Sequence, residues 1–341
     1  MSLNNNVENI SISKEASNAI KGLLILLVVL GHNSILCQEW DGCVATKPLF
    51  LWRWLYTFHV YCFFLLPFLY NKHPYRKGSF RKYAIRLLYP YLWICLTCMM
   101  LSFVVMGMPF NGWQGLVQAV ICGSDKLLDE NIGLNFPWFL PAMFMLLLLK
   151  DFYYSINKRL KKSFVVTCVF LWIVVIVTGI KFSTLGSYIP FAFVPALRLL
   201  PMCLLTFWLF GKVNFTVQIR WLFAIVFTLL SILLWYFYCY DIRLGRMVFY
   251  FVMPISAFLL LLSIKDYLAK SRLLIAFGKM SLQIYLYHVI VFNGLLLIVK
   301  YFHCPPMWMD GVVVLFITFI MSYLGAWFTT KIPFLQKLFY P

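Results

Sequence analysis

The chain has 341 residues, of which 63% are hydrophobic and only 12% are charged, whereas soluble domains carry roughly 25% charged residues. Together with a mean hydropathy of +0.87, this composition excludes a water-soluble globule, because a soluble protein of this length needs much more polar surface. The formal net charge of +18 does not indicate nucleic-acid binding, since the basic residues lie between apolar segments and form no single stripe.

Ten apolar segments are long enough to cross ~30 Å of hydrocarbon, which takes roughly 20 residues of helix. We therefore predict an all-α fold, a polytopic transmembrane helical bundle of about ten helices over residues 20–333. Residues 1–19 are predicted to be a cytoplasmic segment without a removable signal peptide, and residues 334–341 a cytoplasmic tail. The predicted spans are Ile20–Cys37, Phe50–Tyr70, Ala84–Gly107, Phe136–Tyr154, Phe164–Ile180, Tyr188–Gly211, Arg220–Tyr240, Met247–Ile264, Ile275–Phe302 and Gly311–Thr330.

Lysine and arginine indicate the orientation of the spans, because cytoplasmic loops keep the positive excess. The basic residues after spans two and four are Lys72, Arg76, Lys77, Arg81, Lys82, Arg86, Lys150, Lys158, Arg159, Lys161 and Lys162. The acidic residues after spans one and three are Glu39, Asp41, Asp125, Asp129 and Glu130. We therefore expect both termini in the cytoplasm and the chain in the bacterial cytoplasmic (inner) membrane.

The outward side is predicted to hold the longest polar interval, from Pro109 to Asn135. It is either an interfacial segment or acceptor-side lid, or a wet surface loop. Four cysteines fall in or near outward loops, where an oxidising compartment permits disulfides of undetermined pairing: Cys37, Cys43, Cys122 and Cys304. Most of the others lie in apolar segments as small hydrophobic residues, and no metal is expected.

Lys21 and His32 lie eleven residues apart on span one, which is three helical turns plus only ~20° of rotation and ~16 Å along the axis. We expect Lys21 at the cytoplasmic end of the span and His32 past the midplane of the membrane. This arrangement suits a long ligand with an anionic head and a distant reactive end, because lysine binds anions and an imidazole with a near-neutral pKa relays protons. The alternative is a snorkelling lysine and a histidine that is hydrogen-bonded inside the bundle.

Other polar residues at membrane depth are functional candidates because they are costly there. Arg81, Lys82 and Arg86 lie at the cytoplasmic entry of span three, where they either bind an anion or anchor the span by the positive-inside rule. His59 in span two and His288 in span nine either line a cavity or satisfy a hydrogen bond within the bundle.

The segment KGLLILLVVLGHNS, residues 21–34, resembles the first-helix signature of the integral-membrane acyltransferase 3 family, which includes O-acetyltransferases of bacterial surface glycans. Four further segments are similar to family patterns in the same order: FHVYCFFLLPFLY (58–70), RLLYPY (86–91), WFLPAMF (138–144) and GKMSLQIYLYH (278–288). The chain departs from the family at Asn18, which is commonly acidic, at Tyr83 in place of the first arginine of an RxxR element, and at Leu66-Pro67 in place of Ser-Gly.

The resemblance implies transfer of an acyl group, usually acetyl, from cytoplasmic acyl-CoA to a hydroxyl of a surface or lipid-linked glycan. Lys21 and Arg86, with Arg81 or Lys82, would hold the phosphates of acetyl-CoA. His32 would act as general base or as a transient acyl carrier, two mechanisms that the sequence leaves open. The cavity candidates are His59, Trp138, Ser281, Tyr285 and His288.

Two other functions compete with this interpretation. A transporter or flippase of a lipid-linked glycan also uses many helices, and it predicts inverted repeats and broken helices around a midplane site. No repeat is evident, although Pro190, Pro195 and Pro201 are positioned to break span six. The second alternative is a non-enzymatic membrane partner in polysaccharide assembly.

Overall fold

A computed structural model describes residues 12–32, 40–41, 44–45, 50–70, 76, 78–105, 112–133, 136–178, 188–210, 216–239, 243–301 and 308–339. The chain forms two compact units. The first comprises Met1–Gly31, Pro48–Asn71 and Met202–Ser281, and the second comprises His32–Lys47, Lys72–Pro201 and Leu282–Pro341.

The fold of the described residues is helical, apart from one short antiparallel strand pair. The elements in chain order are α1 (Lys14–Gly31), β1 (Trp40–Asp41), β2 (Val44–Ala45), α2 (Phe50–Tyr56), α3 (His59–Leu65), α4 (Pro67–Tyr70), α5 (Ser79–Tyr83), α6 (Tyr89–Met100), α7 (Trp113–Cys122), α8 (Asp125–Ile132), α9 (Phe139–Ser155), α10 (Lys158–Thr178), α11 (Phe193–Phe210), α12 (Val217–Cys239), α13 (Arg243–Ser263), α14 (Lys265–Leu268), α15 (Arg272–Lys279), α16 (Ser281–Tyr301), α17 (Trp308–Lys331) and α18 (Pro333–Phe339). Turns of π-helix, Ala84–Leu88 and Leu101–Val105, flank α6, and 3-10 turns, Phe136–Trp138 and Pro190–Ala192, precede α9 and α11.

Five helical segments in the described ranges are long and apolar enough to cross a membrane: Ser79–Phe103, Phe136–Ser155, Pro190–Leu209, Val217–Cys239 and Val312–Lys331. A bent pair, Arg272–Lys279 with Ser281–Leu295, makes a sixth. The prediction of a helical membrane bundle is therefore confirmed, while the total of ten spans stays a prediction. The helix α11 continues through Pro195 and Pro201, so these prolines do not break span six.

Two predicted spans are not the continuous helices that we expected. The segment Phe50–Tyr70 is divided among α2, α3 and α4. The second break falls at Leu66, which keeps helical backbone angles (φ −55°, ψ −45°); the helix is interrupted there only in its hydrogen bonding, since Pro67 has no N–H to donate. The segment Ile275–Phe302 is divided into α15 and α16, with Met280 between them. A hydropathy window does not detect a break of one or two residues, which explains why the sequence did not predict these interruptions.

The interval predicted to face outward contains two helices, α7 and α8, with buried apolar residues on each. The hydroxyl of Tyr91 on α6 donates to the Val120 carbonyl at 2.8 Å, and the Ser102 hydroxyl donates to the Ile132 carbonyl. These bonds attach both helices to the helical segment around α6, which favours an interfacial segment over a wet loop. Cys122 is buried and free in the described structure. The other three cysteines predicted outside, Cys37, Cys43 and Cys304, lie outside the described residues.

Two glycines bring α1 and α15 into backbone contact within the first unit. A Cβ atom on Gly22 would overlap the Leu274 carbonyl, and one on Gly278 would overlap the Asn18 carbonyl. The register is antiparallel, since the later residue of α15 meets the earlier residue of α1. Only glycine allows backbones to approach this closely. The contact therefore fixes α15 against the part of α1 that carries Lys21.

Candidate functional site

A cluster of aromatic rings in the second unit contains two of the predicted histidines. His32 follows directly after the last residue of α1 and is partly buried. Its ring centroid lies 5.2 Å from that of His288 on α16, with the rings tilted by 58°. The rings of Tyr285 and Phe136 lie 5.8 Å and 5.9 Å from His288. The structure thus brings together His32 and two of the cavity candidates.

His288 is fully buried, and its backbone contacts determine which ring nitrogen carries a proton. Its Nδ1 lies 2.6 Å from the Tyr285 carbonyl oxygen and 3.2 Å from that of Ile284. Because a carbonyl oxygen can only accept, Nδ1 carries the hydrogen and donates it. In the neutral imidazole, Nε2 is then the acceptor nitrogen. The local helix geometry therefore prepares His288 to take up a proton at Nε2.

Tyr285, one turn before His288 on α16, connects that helix to the turn that precedes α9. Its hydroxyl donates to the carbonyl of Phe136, and its ring lies 5.2 Å from that of Phe139. Trp138, another predicted cavity residue, belongs to the same turn and is partly buried. Ser281, also partly buried, is the first residue of α16 and directly follows the break after α15. The predicted cavity residues Tyr285 and Trp138 are thus linked through one turn of backbone.

His59, the remaining predicted cavity residue, lies in the first unit and has a similar local geometry. It is fully buried, and its Nδ1 lies 2.6 Å from the Leu55 carbonyl oxygen, so this nitrogen also donates. Its ring meets that of Tyr56 edge to face at 4.8 Å. The carbonyl of Gly31, the last residue of α1, accepts hydrogen bonds from Trp52 at 2.9 Å and from Tyr56 at 3.3 Å. Side chains of α2 therefore hold the end of α1, immediately before His32.

Lys21 lies on α1 beside the glycine contact and is partly buried. Its Nζ donates to the Asn18 side-chain oxygen at 3.4 Å. The Asn18 carbonyl is the atom that approaches Gly278 on α15. Both the position of Lys21 and that of its hydrogen-bond partner are thus set by the packing of two helices.

The predicted phosphate-binding cations lie where α5 continues into the π-helical turn. Arg81 and Lys82 on α5 and Arg86 in the π turn are exposed. Exposed cations can bind a ligand or a lipid headgroup, and their joint action with Lys21 stays a prediction.

Sequence analysis missed a buried ion pair near the end of α9. The Tyr83 hydroxyl donates to Asp151 at 2.8 Å, and the Lys150 amine lies 3.6 Å from the other Asp151 oxygen. The Lys150 side chain is fully buried and that of Asp151 is 4% exposed, so Lys150 is not the loop cation that we counted for topology. The signal available in the sequence was an adjacent lysine and aspartate within the apolar stretch LLLLKDFYY. Tyr83 therefore ties the segment that carries Arg81 and Arg86 to α9.

Comparison with known proteins gives one positive finding. A family model described as an acyltransferase domain matches residues 14–330, which is more than nine tenths of the chain. No curated protein and no solved structure matches the chain. The match begins at the first residue of α1 and ends one residue before the end of α17, so it covers every candidate residue.

Proposed function

The chain belongs to the acyltransferase 3 family, and from this premise we propose that it is a membrane-bound O-acyltransferase of glycans. The donor in this proposal is cytoplasmic acyl-CoA, with acetyl-CoA first among candidates, and the acceptor is a sugar hydroxyl of a surface or lipid-linked glycan. The family and the apolar helices establish the coarser class, a membrane acyltransferase.

The observation that carries the proposal is the contact between His32 and His288, whose ring centroids are 5.2 Å apart. A sugar hydroxyl is a poor nucleophile until a base removes its proton during attack, and positioned histidines contribute roughly 10²- to 10⁴-fold to such reactions. A second imidazole, with Nε2 as its acceptor nitrogen, stabilises positive charge that develops on the first. This pairing suits general base catalysis at His32.

The net reaction is the same in either mechanism, although the acyl-carrier route also forms and breaks one carbon–nitrogen bond. With His32 as general base, it accepts the hydroxyl proton, the sugar oxygen bonds to the thioester carbonyl carbon, and the carbon–sulfur bond breaks. The departing thiolate of coenzyme A then receives a proton from His32. With His32 as acyl carrier, its nitrogen bonds to the carbonyl carbon first and the carbon–sulfur bond breaks, which releases the thiolate of coenzyme A. In a second step the sugar oxygen bonds to the same carbon, the carbon–nitrogen bond breaks, and the hydroxyl proton passes to the thiolate through the freed imidazole. The products are a sugar ester and free coenzyme A in both cases.

In this proposal the phosphates of the acyl-CoA donor are bound by the cations that the sequence analysis identified. Coenzyme A carries phosphates at one end and the thioester at the end of a long pantetheine arm. Lys21, Arg86 and either Arg81 or Lys82 would hold the phosphates, because cations bind phosphate by charge-assisted hydrogen bonds. The exposed side chains of Arg81, Lys82 and Arg86 support this role, since they are accessible to a soluble donor.

A transporter of lipid-linked glycans is the second candidate, and one observation favours it. The interruption at Met280, between α15 and α16, is the kind of helix break that transporters place at a substrate site. Both candidates predict binding of a glycan, but only the acyltransferase predicts a new ester.

Mass spectrometry of the surface glycans tests the proposal directly. Cells with the protein should carry glycans that are heavier by one or more acyl esters than glycans from cells without it. Mild alkali, which hydrolyses esters, should abolish the difference. Glycans of equal mass and equal surface abundance in both strains would reject the acyltransferase of glycans. Equal masses with a loss of surface glycan would favour the transporter.

A further inference from the structure

Three side chains of the second unit form a polar network between α9 and α5: Lys150, Asp151 and Tyr83. The Tyr83 hydroxyl donates to one Asp151 oxygen at 2.8 Å, and the Lys150 amine lies 3.6 Å from the other. The Lys150 side chain is fully buried and that of Asp151 is 4% exposed. The cost of burying two opposite charges often matches or exceeds their attraction, so apolar residues of similar size give a protein of equal or greater stability. Stability alone therefore does not explain the polar network.

A second contact between the same two helices is apolar. The ring of Phe80 on α5 meets that of Phe144 on α9 edge to face, with the centroids 5.4 Å apart. Phe144 and Asp151 share one face of α9, because the seven residues between their positions make almost two full turns. Phe80 and Tyr83, three residues apart, are likewise neighbours on the surface of α5. The two contacts together fix the rotation of α5 on α9, which one contact alone would leave free.

The direction of the nearby cations depends on this rotation. Arg81 and Lys82 are the two residues between the contacts in the sequence. At about 100° per residue they point away from α9, and both are exposed. Arg86 is also exposed, in the π-helical turn that begins directly after Tyr83. It lies close enough to Tyr83 to act on that hydroxyl electrostatically. A change in the anchoring of Tyr83 would therefore move the cations that the donor is proposed to meet.

We propose that Lys150, Asp151 and Tyr83 are positioning residues of the donor site, an inference that rests on the proposed function. Lys150 holds the Asp151 carboxylate within the apolar part of α9, and Asp151 in turn holds the Tyr83 hydroxyl. Because a hydrogen bond is directional, this bond selects one orientation of α5, whereas an apolar contact tolerates many. Arg86 is thereby held where it meets a phosphate of the donor.

Calorimetric titration of the purified full chain with coenzyme A, combined with the thermal midpoint of each variant, tests the proposal. Tyr83→Phe should bind coenzyme A roughly fivefold more weakly, the effect of one misplaced ionic contact. Lys150→Met/Asp151→Leu removes the buried pair but keeps its volume, and it should show the same loss of affinity with an unchanged or higher thermal midpoint. All three substitutions together should lose no more than either variant, because they interrupt one network.

The matched control is Tyr154→Phe, which removes a hydroxyl from the same helix as Asp151. The Tyr154 hydroxyl oxygen is buried and has no hydrogen-bond partner among the described residues, so its removal should change the affinity for coenzyme A less than twofold. In transfer of labelled acetyl, Tyr83→Phe should raise the Michaelis constant for acetyl-CoA roughly fivefold and leave the turnover number unchanged, while Tyr154→Phe should alter neither.

The outcomes separate the positioning role from the proposed function. Wild-type affinity for coenzyme A in Tyr83→Phe and in Lys150→Met/Asp151→Leu would overturn the positioning role alone. A loss of affinity in the double variant that comes with a lower thermal midpoint would also overturn it, since general destabilisation would then explain the loss. Failure of the wild type itself to bind coenzyme A would reject the acyl-CoA donor, and the positioning role with it.

Discussion

The histidine cluster of the second unit and the glycine contact of the first differ in what a substitution would remove. In the cluster, His32 and His288 contribute ring nitrogens, and Asn or Gln can replace individual hydrogen bonds of such rings. In the contact, Gly22 and Gly278 contribute the absence of a side chain, and no other residue can reproduce it. The first region should therefore control reaction rate, and the second should control how much folded protein accumulates.

The largest expected effect is that of His32→Ala. This substitution should lower the turnover number for acyl transfer by roughly 10²- to 10⁴-fold, because it removes the proposed base or acyl carrier. The amount of membrane-inserted protein should stay close to that of the wild type. Transfer of labelled acetyl from acetyl-CoA, normalised to purified protein, measures both quantities. Wild-type turnover by this variant would remove the histidine from the mechanism.

The substitution His288→Asn keeps the hydrogen bond from residue 288 to the helix backbone but removes the second ring nitrogen, Nε2. The Asn amide can donate to the carbonyls of Tyr285 and Ile284, as Nδ1 of the imidazole does, but nothing replaces Nε2. In the proposed mechanism Nε2 accepts a hydrogen bond from His32 when His32 becomes protonated. Loss of such a bond to a charged group, about 1.5–3 kcal/mol, predicts a turnover number roughly 10- to 100-fold lower with an unchanged Michaelis constant for the donor. Steady-state kinetics of the purified variant gives both parameters.

The control for this variant lies on the same helix. The Asn293 amide donates to the Val289 carbonyl at 2.9 Å, so Asn293→Leu disturbs a buried polar side chain of α16 outside the histidine pair. It should leave the turnover number unchanged. A similar decrease in both variants would mean that His288 serves only the packing of α16.

Gly278→Ala should instead affect protein quantity. The added methyl group meets the Asn18 backbone, which cannot rotate away, so we expect a cost of about 1–3 kcal/mol and a several-fold lower yield. Gly294→Ala is the matched control, because no atom lies within 4 Å of the added methyl group. Fluorescence of a C-terminal fusion and the thermal midpoint of the purified protein measure the effect. A yield of Gly278→Ala equal to that of Gly294→Ala would contradict the backbone contact.

Lys21→Ala should produce the smallest effect. Lys21 lies beside the glycine contact, but its proposed role is in the reaction. If Lys21 holds a donor phosphate in the ground state, its loss should raise the Michaelis constant for acetyl-CoA roughly fivefold, at about 1 kcal/mol for one ionic contact, with little change in the turnover number. Lys14→Ala, at the exposed start of the same helix, should leave the constant unchanged. Equal constants for the wild type and Lys21→Ala would return this lysine to the role of a membrane anchor.

Most of the fold was predictable because long apolar segments are visible in a hydropathy profile and have the length of a membrane-spanning helix. The breaks were not, since each involves one or two residues within a stretch that remains apolar. Pro67 was the visible signal for one break, and the Gly278 to Ser281 stretch, GKMS, was the weaker signal for the other. Helix starts were also predicted late, as for α1 at Lys14, because polar first turns remain helical outside the apolar window.

Part of the candidate site was predictable, because histidines are rare in apolar segments and are therefore easy to notice in the sequence. His32 and His288 stand out in sequence for that reason, but their proximity does not, because 256 positions separate them in the chain. The bond between the Tyr285 hydroxyl and the Phe136 carbonyl had no signal at all, since any residue provides a backbone carbonyl. The pair of Lys150 and Asp151 was misassigned, because a charge near the end of a span usually marks a loop.

The same pair has a consequence for how the chain enters the membrane during synthesis. Asp151 alone would make the segment Phe136–Ser155 expensive to release from the translocon. Lys150 neutralises it within the helix, and Tyr83, from the preceding hydrophobic segment, shields it further. We therefore expect Ser79–Phe103 and Phe136–Ser155 to leave the translocon together as a helical hairpin, so that Asp151 is not exposed to lipid.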